Sequence, residues 1–176
     1  MNKQLFLLSL ICYKLYLNWL TNQFQIDLQL QTHLKQPYQF VHIATHGLVN
    51  YKNPRLSALA CYKEGTKAGN DLLFANEIQM QDIQADLVIL SSCESGVGEL
   101  KVGEGMMALN RGFLYAGASN IVYSLFKVPQ DSTSQLTQSL FQHILEGESY
   151  AAALRKAKLE LIEDEMMEPM DWAGFA

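Results

Sequence analysis

A histidine and a cysteine, 47 residues apart, each follow a short apolar run in this chain and have the chemistry of a reactive pair. His46 comes just after the run at 40–44, and Cys93 comes just after the run at 87–90. Both runs have the length and the β-branched content of buried strands. Because the carboxyl ends of parallel strands meet at one edge of a sheet, we expect the imidazole and the thiol to lie close together there. An imidazole helps a thiol to ionise, and the thiolate is a nucleophile.

Each of the two residues also has a simpler interpretation when it is taken alone. A single cysteine after a buried strand is often a small core residue, and a single histidine is often a hydrogen-bonded polar group. The occurrence of both at strand ends favours a functional pair. Small residues on either side leave room for a substrate; they are Thr45, Gly47, Ser91, Ser92, Ser95 and Gly96.

Composition and charge limit the other functions open to this chain. Its 176 residues, 49% hydrophobic and 18% charged, are those of one globular domain with a sizeable core. A net charge of −5 without a Lys/Arg cluster argues against direct binding of nucleic acid. Three cysteines without regular spacing favour a reducing, cytoplasmic setting. No ligand spacing predicts a metal, and the glycine loop at 96–105 lacks the spacing of a nucleotide site, so no cofactor is expected.

The first 36 residues are the least informative part of the chain. The apolar run at 5–12 lies between Lys3 and Lys14, is too short to span a bilayer and precedes no cleavage site. We therefore expect no association with a membrane. A helical stripe is present at Leu5, Leu8, Ile11, Leu15 and Trp19. It favours a core or interface helix over a targeting segment, within a segment, 1–36, that is distinct from the domain at 37–176.

The remaining sequence alternates strand and helix patterns. Strands are predicted at 40–44, 56–62, 87–91 and 120–126. Helices are predicted at 27–36, 75–81 and 106–116, with two more that Asp131 and Ser149 cap. Such alternation is typical of βαβ units. The predicted fold class is α/β, with three layers: a mostly parallel central sheet and helices on both faces.

Six ordered motifs resemble those of one known family. They are HIATHG at 42–47, LSSCESG at 90–96, GEG at 103–105, FLYAGA at 113–118, SLFKV at 124–128 and WAGF at 172–175. Together they resemble CHAT domains, which are caspase-like modules often found after tetratricopeptide repeats in bacteria. The resemblance covers about residues 37–175.

The resemblance implies a caspase–haemoglobinase fold and a cysteine endopeptidase that acts on a protein or peptide substrate. His46 matches the family's catalytic histidine, and Cys93 matches its nucleophile. In similar peptidases the N–H groups of the residues that correspond to Gly47 and Cys93 form the oxyanion hole, where donors must point at the oxygen of the tetrahedral intermediate. The position of Ser91 borders the substrate pocket in similar peptidases.

Two charged residues after the predicted strand at 120–126 are further candidates for the rim of that pocket. Lys127 and Asp131 have simpler roles as a solvated charge and a helix cap. Ser91 is neutral, so no preference for a charged substrate side chain is predicted.

The ends of the chain depart from the family pattern. Ala176 falls where the family continues into another strand, and the first 20 residues do not resemble its opening strand. We therefore expect a truncated domain that self-associates through an exposed sheet edge and has little peptidase activity. A tetratricopeptide-repeat protein is the expected regulatory partner. The alternative to an enzyme is a non-catalytic interaction module in a bacterial signalling or defence assembly.

Overall fold

The computed structural model describes residues 4–8, 38–50, 52–61, 71–91, 93–94 and 104–176. The chain divides into two compact units, Met1–Tyr123 and Ser124–Ala176, which are described separately. The described strands of the first unit are β1 (Gln4–Leu8), β2 (Tyr38–Ile43), β3 (His46–Leu48), β4 (Ala58–Cys61), β5 (Asp71–Phe74), β6 (Ala85–Leu90), β7 (Cys93–Glu94) and β8 (Ile121–Tyr123). Its described α-helices are α1 (Ala75–Gln79) and α2 (Glu104–Tyr115), and a 3-10 turn spans Pro54–Leu56.

Four of these strands form a parallel sheet in the order β1-β2-β6-β8. In β6 all residues except Asp86 are buried, as expected for a strand of a parallel sheet that is covered on both faces. The other four form a mixed sheet in the order β5-β4-β3-β7. Within it β3 and β7 run parallel, and the remaining neighbours are antiparallel. The prediction of an α/β fold with a mostly parallel sheet is confirmed.

The core of the first unit lies between strands β2 and β6 and the two helices. Val41 and Val88 from the sheet belong to the same buried cluster as Ile78 of α1 and Phe113 of α2. Helix α2 ends at Tyr115, and Gly117 follows it with a positive φ of 114°. The N–H groups of residues 117 and 118 donate to the carbonyls of residues 114 and 113, the pattern of a Schellman cap.

The second unit consists of helices α3 (Gln130–Leu145), α4 (Tyr150–Glu163) and α5 (Pro169–Trp172). The buried apolar residues of α3 and α4 recur every four positions; they are Leu136, Leu140 and Ile144 on α3 and Ala153, Ala157 and Leu161 on α4. The Ser149 side chain caps α4 by accepting a hydrogen bond from the Ala152 N–H, as predicted. The two helices are also linked by a hydrogen bond of 2.7 Å between His143 Nε2 and Glu160 Oε1.

The predicted helix at the start of the chain is wrong where the structure describes it. Residues Gln4–Leu8 form β1, which pairs in parallel with β2. A short continuous apolar run fits a buried strand as well as a helical stripe, and backbone pairing with β2 decides between them. This strand is also an outer neighbour of β2, which the sequence was expected to lack. The rest of the predicted helix, the helix at 27–36 and most of the glycine loop lie outside the described residues.

Two smaller predictions also need correction. The strand expected at 120–126 is shorter, because Ser124 leaves β8 and forms an isolated antiparallel bridge with Phe175. Asp131 does not cap α3, since Pro129 occupies the cap position and Asp131 lies in the first turn. Its carboxylate there still interacts favourably with the helix dipole.

Candidate active site

The backbone places His46 and Cys93 side by side as the first residues of two neighbouring parallel strands. They are register partners in the pairing of β3 with β7. Neighbouring strands lie about 4.8 Å apart, so the backbones of the two residues lie close together. His46 is exposed, and Gly47, the next residue, is buried.

This pairing continues the register of the parallel sheet. Each residue of β6 carries a number 47 higher than its partner in β2, as in the pairs 38 with 85 and 43 with 90. The pair 46 with 93 keeps the same offset of 47. The two connecting segments, 44–45 and 91–92, are therefore equal in length, so pairing resumes at His46 and Cys93 in the register that it has at Ile43 and Leu90.

A side-chain hydrogen bond joins strand β2 to the residue that follows β6. His42 Nε2 and Ser91 Oγ are 2.7 Å apart, and both residues are half-buried. The Ser91 N–H also donates to the Ile43 carbonyl at 2.9 Å. Burial lowers the pKa of the His42 imidazole to about 4, so this ring is neutral at pH 7. The sequence predicts no role for His42, although a histidine inside an apolar strand is a signal, because a buried polar group needs a partner.

Further hydrogen bonds attach the His46 strand to its other neighbour. Thr45 Oγ1 donates to the Ala60 carbonyl of β4 at 2.6 Å. The buried Ser57 Oγ accepts from the Asn50 N–H at 3.1 Å, just after β3. These contacts hold β3 against β4 on the side opposite β7. Of the small residues expected around the pair, Ser92, Ser95 and Gly96 lie outside the described residues.

The two charged candidates for the pocket rim belong to the second unit. Lys127 and Asp131 are both exposed there, whereas His46 and Ser91 belong to the first unit. A role of Lys127 and Asp131 in substrate binding stays a prediction.

Two further properties concern only the part of the chain that the structure describes. Within it, no three or more His, Cys, Asp or Glu side chains are grouped so that they could hold a metal ion. None of its helices combines the length and the apolar character that crossing a bilayer requires.

The parallel sheet β1-β2-β6-β8 and its helices define an α/β protein, and comparison with known families agrees with this class. Residues 22–176 match the CHAT domain, and the chain belongs to this caspase-like family. The match begins earlier than residue 37, where the motifs predicted the domain boundary.

The curated relatives are large proteins. The chain is 30% identical over 105 residues to tetratricopeptide repeat protein 28 of Mus musculus. It has the same identity over the same length to tetratricopeptide repeat protein 28 of Homo sapiens. In both cases the matched region is 59% of this chain and 4% of the relative.

Proposed function

We propose that this chain is a cysteine endopeptidase of the CHAT type, which hydrolyses peptide bonds with His46 and Cys93. The observation that carries the proposal is the register pairing of these two residues at the start of β3 and β7. A nucleophile and its base must be within hydrogen-bond reach, and partner positions on adjacent parallel strands meet the backbone requirement for this.

The proposed reaction has two halves, formation of a thioester and its hydrolysis, and in each half the His46 imidazole takes up one proton and then releases it. The imidazole takes the proton of the Cys93 thiol, and the thiolate attacks the carbonyl carbon of the scissile bond. The tetrahedral intermediate collapses, the C–N bond breaks, and the imidazolium gives its proton to the leaving amine. Water, deprotonated by the same imidazole, then hydrolyses the thioester and releases the acid and the free thiol.

The resemblance to CHAT domains adds the oxyanion hole to this proposal. Its donors would be the backbone N–H group of Gly47, the residue after His46 on β3, and that of Cys93 itself on β7. We also propose a tetratricopeptide-repeat region or protein as the regulatory partner, on the basis of the names of the two relatives.

The alternative is a non-catalytic interaction module. The names of the two relatives refer to tetratricopeptide repeats and to no catalytic activity, which favours it. The alternative predicts an inert thiol at position 93.

The reactivity of the thiols distinguishes the two functions. A brief pulse of iodoacetamide at neutral pH, followed by mass spectrometry, should label Cys93 faster than Cys12 and Cys61, because an adjacent imidazole favours the thiolate. His46→Ala should slow the labelling of Cys93. Equal or slower labelling of Cys93 in the folded protein, unaffected by His46→Ala, would support the interaction module.

Cleavage of a peptide library tests the enzyme directly. Cys93→Ala should abolish cleavage, and His46→Ala should reduce it by orders of magnitude, because the two residues act as a unit. Cys61→Ala is the matched control, since Cys61 is the last residue of β4 in the same mixed sheet and does not pair with β3. Wild-type turnover by the Cys93→Ala variant would exclude Cys93 as the nucleophile.

A further inference from the structure

We propose that His42 is a positioning residue for Cys93, because its hydrogen bond to Ser91 holds together the two segments that lead into the paired strands. This inference rests on the proposed function, since it concerns the residue proposed as nucleophile. His42 is not proposed to touch the substrate. It would act through Ser91 and the backbone that follows.

The bond is located where backbone pairing is interrupted. Pairing of β2 with β6 ends at Ile43 and Leu90, and pairing of β3 with β7 begins at His46 and Cys93. In between, Ser91 is held at two points: its N–H donates to the Ile43 carbonyl at 2.9 Å, and its Oγ lies 2.7 Å from His42 Nε2. Ser91 is two residues before Cys93, so a displacement of Ser91 is passed on to the start of β7.

The chemistry of the two groups suits a permanent link. A neutral imidazole has one donor and one acceptor nitrogen, and a serine hydroxyl can rotate to serve either. The bond therefore forms with either tautomer of His42. Both residues are half-buried, so water only partly compensates for this hydrogen bond when either partner is removed. A small displacement of a reacting group can cost a large factor in rate, because catalysis depends on near-attack geometry.

The positioning role and the pocket role of Ser91 predict different kinetics. A residue that lines the substrate pocket should change KM and the preference among peptides. A residue that positions the nucleophile should change kcat and also the reaction of the thiol with a small reagent that uses no pocket. The alkylation rate of Cys93 therefore separates the two roles.

The test compares Ser91→Thr with Ser91→Val in the full 176-residue chain. The two side chains have the same shape, but only threonine keeps the hydroxyl. We expect Cys93 to react with iodoacetamide about tenfold faster in Ser91→Thr than in Ser91→Val, the effect of roughly one hydrogen bond, with a similar ratio in kcat. Equal alkylation rates in the two variants, or a difference confined to KM, would overturn the positioning role.

A second pair of variants tests whether His42 is the partner that matters. His42→Gln keeps an amide N–H near the position of Nε2, whereas His42→Phe removes it. In the Ser91→Val background, His42→Gln and His42→Phe should give the same alkylation rate of Cys93, because the bond between the two sites is already lost. Independent, multiplicative effects of the two sites would contradict the inference.

The wild-type chain supplies the control for the underlying proposal. If wild-type Cys93 reacts no faster than Cys61, the proposed peptidase itself fails. If wild-type Cys93 reacts fast and its rate depends on His46, but Cys93 reacts equally fast in Ser91→Thr and Ser91→Val, only the positioning role fails. Circular dichroism and thermal unfolding would confirm that each variant is folded.

Discussion

The burial of His42 predicts that the protein loses stability in mildly acidic solution. Burial lowers the pKa of this imidazole from 6.5 to about 4. As the pH falls, the unfolded chain takes up the proton first, and so the unfolded state is favoured. The stability that the neutral ring contributes is fully present above about pH 6.5 and is lost as the pH falls towards 4.

The size of this loss follows from the two pKa values. With 6.5 in the unfolded chain and about 4 in the folded protein, linkage gives a decrease of about 2 kcal/mol in the free energy of unfolding between pH 7.5 and pH 5.0. Hydrogen bonds lower the pKa values of Glu148, Glu160 and Asp171. The stability that these carboxylates contribute is therefore lost at a lower pH than the stability that His42 contributes.

The assay is urea unfolding of the wild-type chain and of His42→Gln at the two pH values. Glutamine does not titrate, and all other ionisable groups are common to both proteins. The difference in free energy of unfolding between wild type and variant should therefore change by about 2 kcal/mol in the variant's favour at pH 5.0. An unchanged difference would show that the His42 ring is not desolvated, and the argument from its burial would be wrong.

Three substitutions, two of them paired with a control variant, test the packing and caps of the two units by urea unfolding. Gly117→Ala should cost about 3 kcal/mol, because φ is +114° and the new Cβ would lie 2.6 Å from the Ile83 carbonyl oxygen. Gly147→Ala is its control and should cost only about 1 kcal/mol, since φ is +95° but nothing lies within 4 Å. Equal costs would refute the close approach. Ser149→Ala should cost about 1 kcal/mol through the lost cap of α4, and Ser149→Gly only a few tenths. Leu140→Ala should cost about 2–5 kcal/mol, and a cost below about 1 kcal/mol would show that Leu140 is not in the core of its unit.

The sequence predicts the parts of this fold that carry continuous apolar runs. The strands at 40–44 and 87–90 are recognisable because a strand buried on both faces has few polar positions. Their parallel pairing in turn explains why His46 and Cys93, each shortly after such a run, meet as register partners. The stripes on α3 and α4 are recognisable for a similar reason, since one face of each helix is buried.

The contacts that sequence patterns missed depend on strand register or on small shifts of a helix boundary. The bond between His42 and Ser91 requires that His42 lies opposite residue 89, which no local pattern specifies. Asp131 was misplaced as a cap because α3 begins two residues earlier, after Pro129. The run at the start of the chain has too few residues for its period to distinguish a strand from a helix.

The segments 44–45 and 91–92 connect strands of the parallel sheet to strands of the mixed sheet, and they are equal in length. This equality limits where the chain tolerates insertions and deletions. Extra residues in the connection between β4 and β5 would leave the pairing of β3 with β7 unchanged, because β4 and β5 pair with each other at the ends of that connection. One extra residue within 44–45 alone, if the strand accommodated it, would move His46 by about 3.3 Å along its neighbour. Homologues are therefore free to vary the 47-residue offset, but changes at 44–45 and 91–92 should occur together.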